Sequence, residues 1–277
     1  MLQIKIGLMD TTRSISPDTM AAAAAALNIQ VTRDLPQYWP INASVEFLPG
    51  TGKVPQGVWP VQIVKSLPPG EGGFHLTRHN QPYAKVIATP GSDDWTIDAS
   101  HEIIEMLVDP AGNRLQASGA IQITQGTIVA APGQFEYLVE ACDPCEANAL
   151  GYQIEGITVS DFITPHFYEP NALPGARYSF NGSLTAPRQI LPGGYISWID
   201  PQSDEFQQLL FVDPGQPPII KNLGPANGAS LRSFSDAHAR SFMLPHKSAE
   251  DAAHKQARAN HRKAFEAAAE MRAKHYT

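Results

Sequence analysis

The sequence predicts an α+β fold, with helices and strands interleaved in the first half and a second half rich in β-strands and loops. Two helix patterns, near residues 17–33 and 93–108, lie between short apolar stretches of strand length. Beyond residue 112, apolar stretches alternate with turn residues, and Pro (24) and Gly (21) are plentiful. From residue 246 the chain becomes rich in Ala and charged residues, which is typical of a charged helix. We therefore expect one domain over residues 1–245 and a C-terminal helical tail over residues 246–277.

The first helix follows an apolar strand over residues 2–8. Ser16 is a good helix cap, Pro17 is tolerated in the first turn, and Asp18 lies near the positive end of the helix dipole. This helix should reach about Arg33, because the dipeptide at residues 35–36, Leu-Pro, disfavours its continuation. Strands are then expected at residues 43–48 and 58–67, with a hairpin formed by residues 74–76 and 83–88.

The second helix is expected to begin at Ser92 or Asp93 and to end at Val108. Residues 109–112, Asp-Pro-Ala-Gly, favour a type I turn directly after it. A strand is expected over residues 135–142. Hairpins are predicted around Glu155-Gly156, from residues 152–154 and 157–162, and around Asn181-Gly182, from residues 178–180 and 183–185.

Charge and hydropathy limit the classes of partner. The formal net charge of −7 argues against nucleic acid, which is bound through a basic surface. No apolar run has the length that a membrane-spanning helix needs. The first residues lack the pattern of a secretory signal, so the sequence predicts a cytoplasmic protein, with export by another route left open.

The second helix carries the residues that point to chemistry. His101 and Glu105 are four residues apart, so on a helix they lie on one face and can reach the same metal ion. Glu102 is rotated about 100° from His101 and can flank the attacking water as a general base. This is the layout of the zinc-protease H-E-x-x-H helix, with Glu105 in the place of the second His.

An alternative is that these residues form the solvated face of an amphipathic helix. Against it, residues 93–109 contain six acidic residues and no Lys or Arg. Like charges at i,i+4 spacing destabilise an exposed helix, and acids are disfavoured near its C-terminal end. A bound cation would offset these costs.

A third protein ligand is expected from residues 137–146, Tyr-Leu-Val-Glu-Ala-Cys-Asp-Pro-Cys-Glu. Glu140 lies in an apolar strand pattern, and Asp143 lies where that strand should end, so either could complete the site. Asp109 lies on the same helix face as Glu105, but its place in a turn accounts for it.

Other reactive side chains are given no metal role. Cys142 and Cys145 form a single C-x-x-C pair, which could be a redox pair or half of a zinc site but is more simply a pair of structural thiols. His166 is isolated among aromatic residues and is interpreted as structural. No role is attached to His75 and His79.

Several stretches resemble a family of uncharacterised bacterial proteins with an SHExxE motif. They are QVTRD, ASHEIIEMLVDPAGNR, EYLVEACDPCE, VSDFITPHFYEP, RYSFNGSL and GGYISW, between Gln30 and Trp198. More distantly, SHEIIE followed by Glu-x-x-Asp-x-Cys is similar to the metal site assigned to plant exordium-type (phosphate-induced) proteins and to zincin-like metallopeptidases.

The zincin resemblance implies a twisted mixed sheet with the H-E-x-x-E helix packed on it. It also implies that His101 and Glu105 are the first two metal ligands, that Glu102 is the catalytic glutamate, and that Glu140 or Asp143 is the third ligand. The metal implied is zinc. A carboxylate in place of the second His makes calcium or manganese an alternative, and it should weaken the metal as a Lewis acid.

Three functional hypotheses follow. The first is a zinc-dependent hydrolase acting on a peptide or protein, with Glu102 as general base. The second is an inactive zincin-like binding or assembly module, in which a metal only stabilises the fold and the C-terminal helix contacts a protein partner or another subunit. The third is a structural protein without a metal.

Overall fold

A computed structural model describes residues 3–50, 53–68, 72–88, 92, 94–226 and 230–243 of the chain. These residues form two five-stranded sheets, a small two-stranded sheet and three α-helices, so the predicted mixture of helices and sheets is confirmed. The predicted tail helix and the domain boundary at residue 245 lie outside the described residues.

The strands are β1 (Ile4–Asp10), β2 (Ala43–Phe47), β3 (Val58–Val64), β4 (Gly73–Arg78), β5 (Gln81–Ile87), β6 (Leu115–Thr124), β7 (Thr127–Leu138), β8 (Tyr152–Ile154), β9 (Ile157–Val159), β10 (Tyr195–Asp200), β11 (Glu205–Leu210) and β12 (Ile219–Gly224). The helices are α1 (Pro17–Ile29), α2 (Trp95–Val108) and α3 (Leu231–Met243).

The first sheet is mixed and has the strand order β2-β1-β3-β5-β4. Neighbouring strands are parallel except for the hairpin of β4 and β5, which is antiparallel. Buried residues occupy every second position of β5 and of the second half of β3, the pattern of strands with one face in the core. Both α1 and α2 pack against this sheet. The Ser16 cap is confirmed, since its side chain accepts a hydrogen bond from the Thr19 N–H, and α1 continues into a π-helical turn over Gln30–Asp34.

The second sheet is antiparallel and has the order β12-β11-β10-β7-β6. The predicted hairpin around Glu155-Gly156 is confirmed as β8 and β9, although its second strand ends at Val159. The hairpin predicted around Asn181-Gly182 is wrong. A turn is present there, but the Asn181 N–H and the Ser183 hydroxyl donate to the buried carboxylate of Asp161 instead of joining a strand ladder.

Helix α2 begins at Trp95, slightly later than predicted, and is buried nearly all round. Its side chains are all buried except those of Asp98 and His101, which are partly exposed, so the solvated acidic face considered as an alternative is not present. The turn at residues 109–112 is confirmed by a hydrogen bond from the Gly112 N–H to the Asp109 carbonyl. Glu102 and Glu105 therefore lie inside the molecule and need partners there.

The strand predicted over residues 135–142 is too long by four residues, because β7 ends at Leu138. Beyond that point the backbone no longer bonds to a neighbouring strand. The Val139 N–H donates to the Arg114 carbonyl, and the Cys142 N–H donates to the Glu105 carboxylate. Glu140 consequently lies in an irregular segment after the strand, and this segment turns towards α2.

Candidate metal centre

Helix α2 places two of the predicted ligands side by side. His101 Nε2 lies 3.2 Å from Glu105 Oε2, as expected for residues one turn apart on a helix. Glu105 is completely buried, and its other oxygen accepts a hydrogen bond of 3.0 Å from the Cys142 N–H. The same carboxylate therefore faces His101 and also joins α2 to the segment that follows β7.

That segment supplies the other two predicted ligands. Asp143 begins a short 3₁₀ turn, Asp143–Cys145, and its Oδ1 lies 3.3 Å from His101 Nε2. One carboxylate oxygen from each of Glu105, Glu140 and Asp143 lies within 4.8 Å of the other two. The structure thus brings Glu105, Glu140 and Asp143 together and places His101 against two of them, Glu105 and Asp143. Glu146, which the sequence analysis did not consider, forms a similar group with His101 and Asp143.

The spacing of these atoms suits a small metal ion. Zinc bonds of about 2.0–2.2 Å in tetrahedral geometry place neighbouring donor atoms roughly 3.4 Å apart. The distances from His101 Nε2 to the Glu105 and Asp143 oxygens, 3.2 and 3.3 Å, are close to that value. A single ring nitrogen carries at most one proton, yet it faces two carboxylates. One cation in front of this nitrogen would contact both carboxylates at once.

Burial and mutual repulsion set the protonation of the metal-free cluster. Burial opposes a charge on His101, but the carboxylate of Glu105 and the contact with Asp143 raise the pKa of His101 well above its usual value. Burial, followed by the charge of Glu105, raises the pKa of Glu140 and of Asp143 well above the usual range. The site therefore favours bound protons that a metal ion would displace.

Arg232 is the central residue that the sequence analysis missed. It lies at the start of α3, and its buried guanidinium reaches acids from α2 and from the segment after β7. Nη2 lies 2.8 Å from Glu102 Oε2 and 3.0 Å from Glu105 Oε2, and Nε lies 3.1 Å from Glu140 Oε2. The only signal available in the sequence was an isolated Arg in a polar segment far from the motif, which does not indicate such a contact.

The Glu102 carboxylate is held by two neighbouring side chains, whereas the sequence predicted a free base beside the metal. Its Oε2 accepts from Arg232, and His75 Nδ1 on β4 lies 3.3 Å from the same oxygen. Burial opposes ionisation of Glu102, but the charge of Arg232 and the bond from His75 lower its pKa. His75, to which no role was attached, is therefore part of the cluster, and its Nε2 lies 3.2 Å from the Asp109 carbonyl.

The remaining candidates lie outside the centre or at its edge. The Asp109 side chain stabilises the turn after α2, because its Oδ2 accepts a hydrogen bond from the Arg114 N–H. Cys142 and Cys145 are buried free thiols, and burial raises the pKa of each well above its usual value, as for structural thiols. Cys142 nevertheless has its sulfur near donor atoms of His101 and Glu105.

The fold and the cluster define a mixed α and β protein with a buried histidine–carboxylate centre. No protein-family model, curated protein or solved structure matches this chain. Among its described helices, none combines the length and the apolar character needed to span a bilayer.

Proposed function

We propose that this protein binds one divalent cation, zinc by preference, between α2 and the segment after β7. His101, Glu105 and Asp143 would be its ligands, with Glu140 as the alternative to Asp143, which leaves one position for water. The proposal rests on one observation: His101 Nε2 faces a carboxylate oxygen from each of two separate segments at 3.2 and 3.3 Å. The packing of the H-E-x-x-E helix on a mixed sheet also agrees with a zincin-like core.

Ligand chemistry supports zinc over other metals, because an imidazole nitrogen is a preferred zinc ligand. The three carboxylates of Glu105, Glu140 and Asp143 also suit manganese or calcium, which are the alternatives. Competition among these ions for the protein would separate them.

Hydrolysis of a peptide or protein is the reaction we propose for this centre. A bound zinc ion supplies Lewis acidity and a water molecule of lowered pKa. Glu102 would accept the proton of that attacking water and deliver it to the leaving amine. Two features support Glu102 in this role: it is the residue adjacent to His101, and Arg232 and His75 favour its ionised form.

A metal that only stabilises the fold is the second candidate function. The burial of the ligands favours it, since Glu105, Asp143 and Glu140 are 0%, 2% and 5% exposed and only His101 is partly open to solvent. Closed sites of this kind are typical of structural metals. The contacts of Glu102 with Arg232 and His75 point the same way, because they must weaken before Glu102 can serve as a base.

The metal content of the purified protein distinguishes the two metal-dependent functions from a protein that binds no metal. Purified wild type should hold about one zinc ion per chain by elemental analysis, and His101→Ala should hold none. His166→Ala is the control, because His166 is partly exposed and lies near Glu169 instead of the cluster. Metal in the His101→Ala protein at the wild-type level would contradict the proposed centre.

A hydrolysis assay then distinguishes a hydrolase from a protein whose metal only stabilises the fold. With a fluorescently labelled casein substrate, Glu102→Gln should lower hydrolysis at least 100-fold while keeping its zinc. Zinc-loaded wild type without any hydrolysis would favour the structural function. Hydrolysis that survives in both Glu102→Gln and His101→Ala would exclude this centre as its source.

A further inference from the structure

The guanidinium of Arg232 lies where a second cation would be expected. Arg232 Nη2 contacts Glu102 Oε2 at 2.8 Å and Glu105 Oε2 at 3.0 Å. His75 Nδ1 approaches the same two oxygens, at 3.3 and 4.0 Å. His75, Glu102 and Glu105 thus each offer a donor atom, all within 4.8 Å of one another, and Arg232 already contacts two of them.

This position adjoins the proposed metal centre through a shared carboxylate. Glu105 Oε2 lies 3.2 Å from His101 Nε2 and 3.0 Å from Arg232 Nη2. A carboxylate placed in this way can bridge two cations. Centres with two metal ions use such an arrangement, with the ions about 3.5–4 Å apart.

The acids of the cluster also outnumber its cationic groups. Five buried acids lie around the guanidinium and the imidazole of His101: Glu102, Glu105, Glu140, Asp143 and Asp236. Glu140 is 5% exposed and contacts Arg232 through Oε2, while its Oε1 is buried without a hydrogen-bond partner among the described residues. An unpartnered carboxylate oxygen inside a protein is costly, and a cation would satisfy it.

We propose that Arg232 is the built-in second cation of this centre and that His75, Glu102 and Glu105 form a second divalent-metal site wherever the guanidinium is removed. The proposal rests on the proposed function, because Glu105 is shared with the first metal. Arg232 would then set the number of metal ions at one. It would also keep the acids folded together before that ion arrives.

Counting zinc ions in variants tests this proposal. Native mass spectrometry of zinc-loaded protein should show one zinc in the wild type and two in Arg232→Ala. Arg232→Lys, which keeps the charge, should hold one. Arg232→Ala combined with His75→Ala should also hold one, because the second site loses its nitrogen ligand.

Arg188→Ala is the matched control. Arg188 is likewise buried, at 3% exposure, but its guanidinium donates to the Ser118 hydroxyl and to the carbonyls of Glu169 and Pro170. Its removal should leave the count at one. A count of two in Arg188→Ala would show that loss of any buried arginine admits zinc, which would overturn the assignment.

Folding of the variant is part of the test. Without metal, Arg232→Ala should unfold at a lower denaturant concentration than the wild type, and about two equivalents of zinc should restore its midpoint. A midpoint that saturating zinc does not raise, or that a single equivalent restores in full, would overturn the proposal. A wild type without zinc would instead overturn the metal centre itself.

Discussion

Glu105 is the residue that connects most parts of the site. Its Oε1 accepts from the Cys142 backbone, and its Oε2 faces His101 and Arg232. Burial alone would raise its pKa, but the charges of His101 and Arg232 hold the pKa of Glu105 well below the usual range. A fully buried side chain thus remains a carboxylate, which is the form that can bind a metal.

Arg232 should matter for stability even when no metal is bound. Replacing Arg232 with Ala leaves buried carboxylates without their cation, and we expect the free energy of unfolding in chelator to fall by about 3–5 kcal/mol. Chemical denaturation measures this change. Arg33→Ala is the control. Arg33 is 59% exposed, and its buried partner Asp34 also accepts a hydrogen bond from the Tyr152 hydroxyl, so the loss of Arg33 should cost only about 1 kcal/mol. Equal losses in the two variants would contradict a special role for Arg232.

At the scale of elements, β4 packs closely against α2. A Cβ atom on Gly73 would lie 2.9 Å from Glu102 Cγ and 3.0 Å from Glu102 Oε1, closer than side chains normally approach. Since Glu102 is 4% exposed and held by Arg232, it has little room to move. The glycine at this position therefore allows the edge strand to lie against the acidic helix.

Gly73→Ala should consequently destabilise the protein by about 1–3 kcal/mol, as overpacking does in other cores. Zinc content should remain at the wild-type level, because His101 and Asp143 do not contact this position. Gly119→Ala is the control, since its nearest neighbour would be Arg188 at 3.7 Å, an ordinary contact. If Gly73→Ala and Gly119→Ala unfold at the same denaturant concentration, the close packing at Gly73 is ruled out.

For some elements, the local sequence pattern was sufficient to predict the structure. Helix α2 has apolar periodicity and a terminating turn in its own sequence, and these predicted it to within a few residues, although no described side chain caps its first turn. The segment after β7 was predicted as strand because its apolar residues suit a strand, but its backbone partners are Arg114 and Glu105. Such partners come from distant parts of the chain, so no local pattern reveals them.

At the scale of the whole molecule, the centre joins the first mixed sheet to the second half of the chain. His101 and Glu105 come from the helix on the first sheet, Asp143 and Glu140 follow the second sheet's β7, and Arg232 comes from α3. A metal bound here would cross-link these parts. Its removal should therefore lower the stability of the whole fold.

Chelation tests that expectation. At a zinc concentration about 100 times the dissociation constant, binding stabilises the folded state by about 2.7 kcal/mol. For a domain of this size that corresponds to roughly 5–10 °C in Tm, to be measured by thermal unfolding with zinc and with EDTA. His101→Ala should melt at the same temperature in both. A wild type with equal Tm values in zinc and EDTA would contradict a metal that joins the two halves.

The sequence by itself determined the mixture of helices and strands, the position of α2 and the choice of His101, Glu105, Glu140 and Asp143 as neighbours. These follow from spacing along one helix and from acids placed at the end of a strand. Only the tertiary structure decided that α2 is buried on nearly all sides and that His75 and Arg232 belong to the same cluster. The reason is physical: charge compensation inside a protein acts through space. A cation 127 residues away from Glu105 in sequence can lie 3.0 Å from its carboxylate, closer than His101, which is one helical turn away at 3.2 Å.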